Sequence, residues 1–296
     1  MGRKSAFSPA LNKIEELFNN LEDRSFSKKT LDRLFDSWRR ELDIPRSSEV
    51  KHFIKFLVNS GLLHTRTYAR ENSITQKIVY TWKTEDDFTS YSGLVKSGYY
   101  THYTAMYLHQ LTLQIPKTHY LNCEHRSEME HGELEQRLID AAFSKPQRKS
   151  SKHYLTGGVK IVILNGKFTD RMGVIQVKNE TQTFFYTDLE RTLIDIAIRP
   201  VYSGGIFEVL EAYKTARDSA DVEKLARYLK AMDYIYPYHQ VIGFYLENAG
   251  YSNPVVDLFR KKIKFDFYLT YNIKNPDYSE KWKLYYPKGF SPQPNA

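Results

Sequence analysis

Glu190, Arg191 and Asp195 lie close together in the run TDLERTLIDIAIRP (187–200). Acidic and basic groups at that separation suit an acid–base site, a salt-bridged brace or a structural marker without chemistry. The spacing favours the brace. Thr187 and Glu190 stand three apart, as in a capping box, so each can satisfy a free N–H at a helix start. Arg191 and Asp195 are four apart and can pair on one helix face. Leu189, Leu193, Ile194, Ile196, Ala197 and Ile198 supply an apolar side, and Pro200 stops the helix.

Other constellations are weaker. His119, Cys123, His125 and His131 are spaced H-x3-C-x-H-x5-H, which matches no standard zinc pattern. Scattered packing and surface histidines are the better reading, and no metal or cofactor is expected. His102 and His109 share a helical face but are ~10.5 Å apart along it, too far to chelate one ion. Gly157-Gly158 lacks the acidic pair of a nucleotidyltransferase. IQVK (175–178) carries Gln where a metal-dependent nuclease needs an acid. G-x-S-x-G, Walker A, H-E-x-x-H and G-x-G-x-x-G motifs are absent, so the expectation is a non-enzyme. The remaining catalytic possibility is a nuclease or nucleotide-modifying enzyme, suggested only by acids near strands such as Asp266.

The chain has 296 residues, 41% hydrophobic and 26% charged, with 23 Tyr and 17 Phe. That suits one large domain or two, with a real core. Cys123 is the single cysteine, so a disulfide within the chain is impossible and a reducing, cytoplasmic location is expected. The opening MGRKSAFSPALNK has no apolar stretch after its basic residues and misses the myristoylation pattern at Ala6. The longest aliphatic stretch, Ile161 to Leu164, is far short of the ~20 apolar residues of a membrane span.

The net charge of +8 is unevenly distributed. Residues 1–83 hold 16 Lys/Arg against 10 Asp/Glu, while the other 213 hold 27 against 25. A basic first quarter joined to a nearly neutral remainder is the distribution of a nucleic-acid-binding module with a partner domain.

Periodicity agrees. Ala10, Ile14, Leu17, Phe18 and Leu21 predict a helix over about 8–21. Ser27 caps a second, with Leu31, Leu34, Phe35, Trp38 and Leu42 on one face. A third starts at Ser47 or Ser48, buries Val50, Phe53, Ile54, Leu57 and Val58, and stops at Gly61. LLHTRTYA (62–69) and KIVYTWK (77–83) then read as a hairpin turning at Arg70-Glu71-Asn72-Ser73.

Three helices and a hairpin outline a winged helix-turn-helix, whose third helix enters the major groove. Its DNA-facing positions are Arg46, Ser47, Ser48, Lys51, His52 and Lys55, and the hairpin adds Arg66, Arg70 and Lys77. His52 and His64 read as surface or packing residues rather than metal ligands. A protein-interaction winged helix is the bland alternative; the charge asymmetry favours DNA.

The expected division is a winged-helix domain over 1–86, a polar linker over 84–92, and a larger mixed α+β domain over 93–290. In the latter, Thr101 caps a helix that Pro116 ends, and THYLN follows as a strand. Residues 133–143 are helical, and strands fall at 159–164, 173–178 and 183–186. Helices are expected at about 205–217, 221–231, 238–248 and 254–261. KFDFYLTY (264–271) and KWKLYY (281–286) are late strands, and the tail after Pro287 frays. The fold class is α+β.

Two segments carry a family resemblance. GYYTHYTAMYLHQLTLQIPKTHYLN (98–122) is similar to the glycine–aromatic–Ser/Thr–His start and Ala…Leu-His…Leu-Thr…Pro helix of the AbiEi family. TDLERTLIDIAIRPVYSGG (187–205) is similar to that family's Glu-Arg-Thr-Leu-Ile-Asp helix with its Pro and Gly-Gly. His102, His109, Thr187, Glu190, Arg191 and Asp195 are the signature positions. With the intervening segments and YPYHQVIGFYLENAG (236–250), the resemblance spans about half the chain. Residues 1–83 match the family by outline only.

The resemblance implies an antitoxin and transcriptional regulator of a type IV (abortive-infection, phage-defence) toxin–antitoxin system. Its winged helix would bind inverted repeats in its own promoter and repress it. Its C-terminal domain would counter a separate nucleotidyltransferase-like toxin without requiring direct contact. A stand-alone regulator without a toxin is the related alternative.

Overall fold

The computed structural model describes residues 6–71, 73–126, 133–260 and 263–290. In chain order the first elements are α1 (Leu11–Asn19), β1 (Ser25–Ser27), α2 (Lys28–Trp38), α3 (Val50–Asn59), β2 (Leu63–Arg70), β3 (Gln76–Trp82) and α4 (Asp87–Ser92). Then come β4 (Tyr99–Tyr100), α5 (His102–Leu108), β5 (Thr118–His125), α6 (Gln136–Phe143), β6 (His153–Thr156), β7 (Val159–Lys167), β8 (Val174–Lys178) and β9 (Thr183–Thr187). The remainder is mostly helical: α7 (Leu189–Ile198), α8 (Ile206–Thr215), α9 (Val222–Met232), α10 (Tyr238–Asn248) and α11 (Asn253–Val256). Short strands β10 (Phe267–Tyr268), β11 (Pro276–Ser279) and β12 (Leu284–Pro287) close the chain. The fold is mixed α+β, and no helix among the described residues is long and apolar enough to cross a membrane.

The chain divides into two compact units. The first gathers residues 1–99, 152–163 and 176–185; the second gathers 100–151, 164–175 and 186–296. In the first unit β1 pairs antiparallel with β3, β3 with β2, β2 with β6 and β6 with β7. The helices α1, α2 and α3 bury Ile14, Phe18, Leu31, Phe35, Trp38, Phe53 and Leu57 in one core. Phe18 stacks on Trp82 at 4.2 Å, and Phe7 meets the edges of Phe35 and Phe53. Offset and edge-on ring pairs of this kind add to the area they bury.

Several boundaries differ from those the periodicity predicts. Residues Ser8–Ala10 form a 3₁₀ turn, and the first α-helix covers only α1. Ser27 does cap α2, accepting the Thr30 N–H at 3.1 Å. The third helix begins at Val50, not at Ser47 or Ser48. The Arg39 guanidinium explains the delay. It donates to the carbonyls of Pro45, Arg46 and Ser48 at 2.9, 3.3 and 3.1 Å, so those residues stay in a turn. Residues 84–92 contain helix α4, because Asp86 accepts the Thr89 N–H at 2.8 Å and starts a turn. Strands β1 and β6 have no counterpart in the sequence pattern. Asn72 of the predicted hairpin turn and residues 291–296 of the tail lie outside the described residues.

The second unit is built around α7. Residues 190–198 are all buried, the charged ones included, and α5, α8, α9 and α10 pack on it. A neighbouring sheet has the order β10-β12-β11, in which β12 is parallel to β10 and antiparallel to β11. The strand predicted over 264–271 contributes only Phe267 and Tyr268 to that sheet. The Gln240 carboxamide of α10 donates to the carbonyls of Phe265, Trp282 and Lys283, tying helix to sheet. Gly243 lets the Trp282 ring lie flush on α10, since a Cβ there would stand 2.2 Å from the ring. Gly243→Ala is expected to cost ~1–3 kcal/mol through overpacking. Denaturant unfolding of the variant checks this, and an unchanged midpoint would show that the ring can retreat freely.

Candidate functional site

The sequence singles out two groups of side chains, one in each unit. In the first unit, α3 turns Phe53, Ile54 and Leu57 inward and leaves Lys51, His52 and Lys55 exposed. Arg46 and Ser47 are exposed and Ser48 half-buried, but all three sit in the preceding turn rather than on the helix. Lys51 pairs with Glu49 at 2.8 Å on the open surface, an exchangeable contact of small energy. Arg46 and Lys55 have no ion pair among the described residues. The Arg39 clamp therefore holds a short basic row, Arg46, Lys51, His52 and Lys55, at the start of a helix whose other face is core.

The hairpin residues behave differently. Arg66 is half-buried; its guanidinium pairs with Asp87 of α4 and lies over the Tyr91 ring at 5.5 Å. Burial alone would lower its basicity, but the Asp87 carboxylate holds it above its ordinary value. Lys77 donates to the Leu94 carbonyl, and burial, then Lys152, holds its ammonium below its usual value. Both side chains turn toward the α4 segment. Arg70 is exposed, at the end of β2 that pairs with β6. The hairpin end is thereby held by Ala69–Leu155 and Arg70–Tyr154 pairing and by Glu71, which binds His153 and Lys160. His64 pairs with Glu85 at 2.8 Å.

In the second unit the signature positions come together. Arg191 Nε donates to Asp195 Oδ1 at 2.9 Å with both side chains almost fully buried, as the four-residue spacing predicts. The predicted capping box does not form. Asp188 is the cap, accepting the Arg191 N–H at 2.9 Å, while the Thr187 hydroxyl meets that of Thr192. Glu190 points away to the start of α9, where it accepts the Asp221 N–H at 2.9 Å and binds Lys224 at 2.7 Å. Burial would weaken the Lys224 ammonium, but the Glu190 and Asp188 carboxylates raise it above its ordinary value.

Thr101 is likewise not a side-chain cap for α5; its hydroxyl donates to Asp195 Oδ2 at 2.6 Å. His109 ends α5 and its Nε2 donates to the Thr187 carbonyl at 2.8 Å. Arg191 also donates to Thr169 Oγ1 at 3.0 Å and the Met172 carbonyl at 2.9 Å. Glu124 holds the same loop through the Thr169 and Arg171 N–H groups. One carboxylate and one guanidinium thus join α5, α7 and the 169–172 loop.

His102 is the unusual member. It opens α5 with φ 53, the left-handed region that non-glycine residues seldom enter, and is 5% exposed. Its Nδ1 lies 3.1 Å from Thr101 Oγ1, and its Nε2 has no hydrogen-bond partner. Burial lowers its pKa to about 3, against the partial opposition of Asp195 and with help from Arg199 and Arg191. The ring is therefore neutral at ordinary pH. Helical spacing places His102 and His109 on one face and gives no sign of the left-handed start or the Thr101–Asp195 link, which join residues far apart in the chain.

The other candidate ligands and acids sit elsewhere. His119 and Cys123 lie on β5, which ends at His125, and His131 lies outside the described residues. No group of three or more metal-ligating residues occurs among the described residues. Asp266, the motive for a nuclease reading, accepts the Tyr278 hydroxyl at 2.6 Å.

Two outcomes follow from this geometry. Asp195→Ala leaves the Arg191 charge buried without its carboxylate and should cost ~3–5 kcal/mol, read by denaturant unfolding; a cost within error of zero would show the pair to be dispensable. The second outcome concerns pH. Between about 6.5 and about 3 the unfolded chain protonates His102 and the folded chain does not, so stability falls as pH falls through that window, by ~1.4 kcal/mol per pH unit. Unfolding curves at stepped pH should show this slope shallower in His102→Asn, because asparagine tolerates the left-handed backbone but does not titrate. Parallel slopes would place His102 in a different environment.

No family model and no curated protein matches this chain. Among solved structures, the crystal structure of the RV2827C protein from Mycobacterium tuberculosis is similar, with a TM-score of 0.51 and 11% identity. The likeness covers 97% of this chain and 93% of that one. At that identity it speaks to the fold alone.

Proposed function

We propose that this chain is a DNA-binding transcriptional autorepressor and the antitoxin of a type IV toxin–antitoxin system. The observation that carries the DNA-binding part is the outward basic row Arg46, Lys51, His52 and Lys55, set at the start of α3 and backed by a buried aromatic core. The order α1, β1, α2, α3, β2, β3, with β1 against β3, supports reading residues up to Trp82 as a winged helix. In such a module the beginning of the third helix meets base edges, and basic side chains beside it meet phosphates. Ser47 and Ser48, in the turn before the helix, supply small hydrogen-bonding groups to the same surface. Arg70 is the hairpin residue best placed to join them, because Arg66 and Lys77 are committed to the α4 segment.

The antitoxin part rests on the resemblance of residues 98–122 and 187–205 to the AbiEi family. What supports it in three dimensions is that the two segments meet through Thr101–Asp195 and His109–Thr187. Double-stranded DNA of its own promoter, with inverted repeats, is the proposed partner, and a nucleotidyltransferase-like toxin is the functional counterpart.

The test is promoter binding by fluorescence anisotropy across a salt series. Arg46→Ala, Lys51→Ala and Lys55→Ala together should weaken binding and reduce the salt slope by ~0.9 for each phosphate the variant no longer neutralises. The same variant should still relieve growth arrest by a co-expressed neighbouring toxin. Wild-type affinity and slope in the triple variant would remove α3 from the DNA, and failure of the unmodified chain to rescue growth would remove the antitoxin role.

A further inference from the structure

Strand β2 has one open edge. The Lys83 N–H donates to the Leu62 carbonyl and the Arg70 N–H to the Thr75 carbonyl, at the two ends of the β2–β3 ladder. Hydrogen-bonded pairs recur at every second residue of an antiparallel ladder, so the even-numbered residues of β2 bond to β3. The odd-numbered residues turn their N–H and C=O groups the other way. On that side Ala69 pairs with Leu155 of β6, and the Glu71 N–H reaches the His153 carbonyl. Strand β6 goes no further, because the chain reverses at Gly157-Gly158, both at positive φ (53 and 79), and returns as β7. Leu63, Thr65 and Thr67 are left with no strand beside them over ~14 Å. Their outward backbone groups have no hydrogen-bond partner among the described residues.

The open edge runs along a cavity of about 360 Å³ in the first unit, a size typical of ligand pockets. The two faces of β2 identify its walls. Leu63 packs into the core with α3, whose end brings Val58 and Gly61 to the cavity. His64 and Arg66, on the other face, pair with Glu85 and Asp87, and Glu85 and Ser90 line that side. An edge held between two walls cannot meet an identical recessed edge at the ~4.8 Å spacing of a ladder. A single extended segment fits where a second copy of this chain does not.

Charge narrows the choice of segment. Glu85, Asp86 and Asp87 follow one another along this rim, and its cation Arg66 is already paired with Asp87. Glu85 is 77% exposed and gives only Oε1 to His64, which leaves its second oxygen open to a cation.

We propose that the open edge of β2 accepts an added strand from a partner protein, an extended segment with Lys or Arg facing Glu85 and apolar side chains facing Val58. Main-chain bonds to Leu63, Thr65 and Thr67 supply the affinity, and the two walls select the side chains at alternate positions. The site lies at the end of α3, away from its basic start, and does not rest on the DNA-binding reading.

The test uses the full chain and two blocked, dye-labelled peptides, Thr-Val-Lys-Val-Thr and Thr-Val-Glu-Val-Thr, followed by fluorescence anisotropy at low salt. The lysine peptide should bind saturably, one per chain, and ~10-fold or more tighter than the glutamate peptide. Thr65→Pro removes an outward N–H and spares the bonds of His64 and Arg66 to β3, so the fold should persist, as circular dichroism and unfolding would check. It should weaken the lysine peptide by ~10-fold or more. Glu85→Lys, a surface change outside the strand, should reverse the preference between the peptides. Absence of saturable binding, equal binding of both peptides, undiminished binding by folded Thr65→Pro, or an unchanged preference in Glu85→Lys would each overturn the assignment.

Discussion

The Arg191–Asp195 pair is the contact on which the second unit depends. A buried ion pair adds little net stability over well-packed apolar residues, because both charges lose water. Its consequence here is positional. Asp195 holds Arg191 with one oxygen and the Thr101 hydroxyl with the other. Arg191 in turn reaches the 169–172 loop, and Asp188 caps the helix that carries them all. Removing either charge would strand the other in the interior, so α5, α7 and the loop are held in one arrangement. The strained start of α5 at His102 persists because these bonds over-determine it.

The first unit rests on a different constraint. Its helices are short, and isolated helices of that length are marginal in water. A dense aromatic core, Phe7, Phe18, Phe35, Phe53 and Trp82, supplies what propensity does not. The Arg39 guanidinium then keeps residues 45–48 out of the helix and presents them with α3. Positive charge on this unit is sorted by that packing. Arg39, Arg66 and Lys77 are engaged by the unit's own carbonyl and carboxylate oxygens, and Arg46, Lys51 and Lys55 are left to the outside.

Much of this was legible in the sequence. Helix α2 with its Ser27 cap, the hairpin β2–β3, α10 and the Arg191–Asp195 pairing all follow from local period and spacing. Local signals failed where the partner is distant. The two-residue β10 inside a predicted eight-residue strand, the unforeseen β1 and β6, and the late start of α3 were each decided by pairing or by Arg39. The capping-box reading of Thr187 and Glu190 failed for a related reason. Asp188 is an equally good cap one residue on, and Glu190 had a better use at the start of α9.

By itself, then, the sequence determined an α+β chain with a basic first quarter, an apolar helix braced by Arg191 and Asp195, and the family resemblance of two segments. Charge count, helical period and i,i+4 spacing are properties of neighbours along the chain, so they survive without a fold. Tertiary structure alone decided which cations are free and which are spent, and that Thr101 answers to Asp195. It also decided that His102 is buried and neutral. Those outcomes depend on burial and on bonds between residues far apart in the chain, and no local pattern records either.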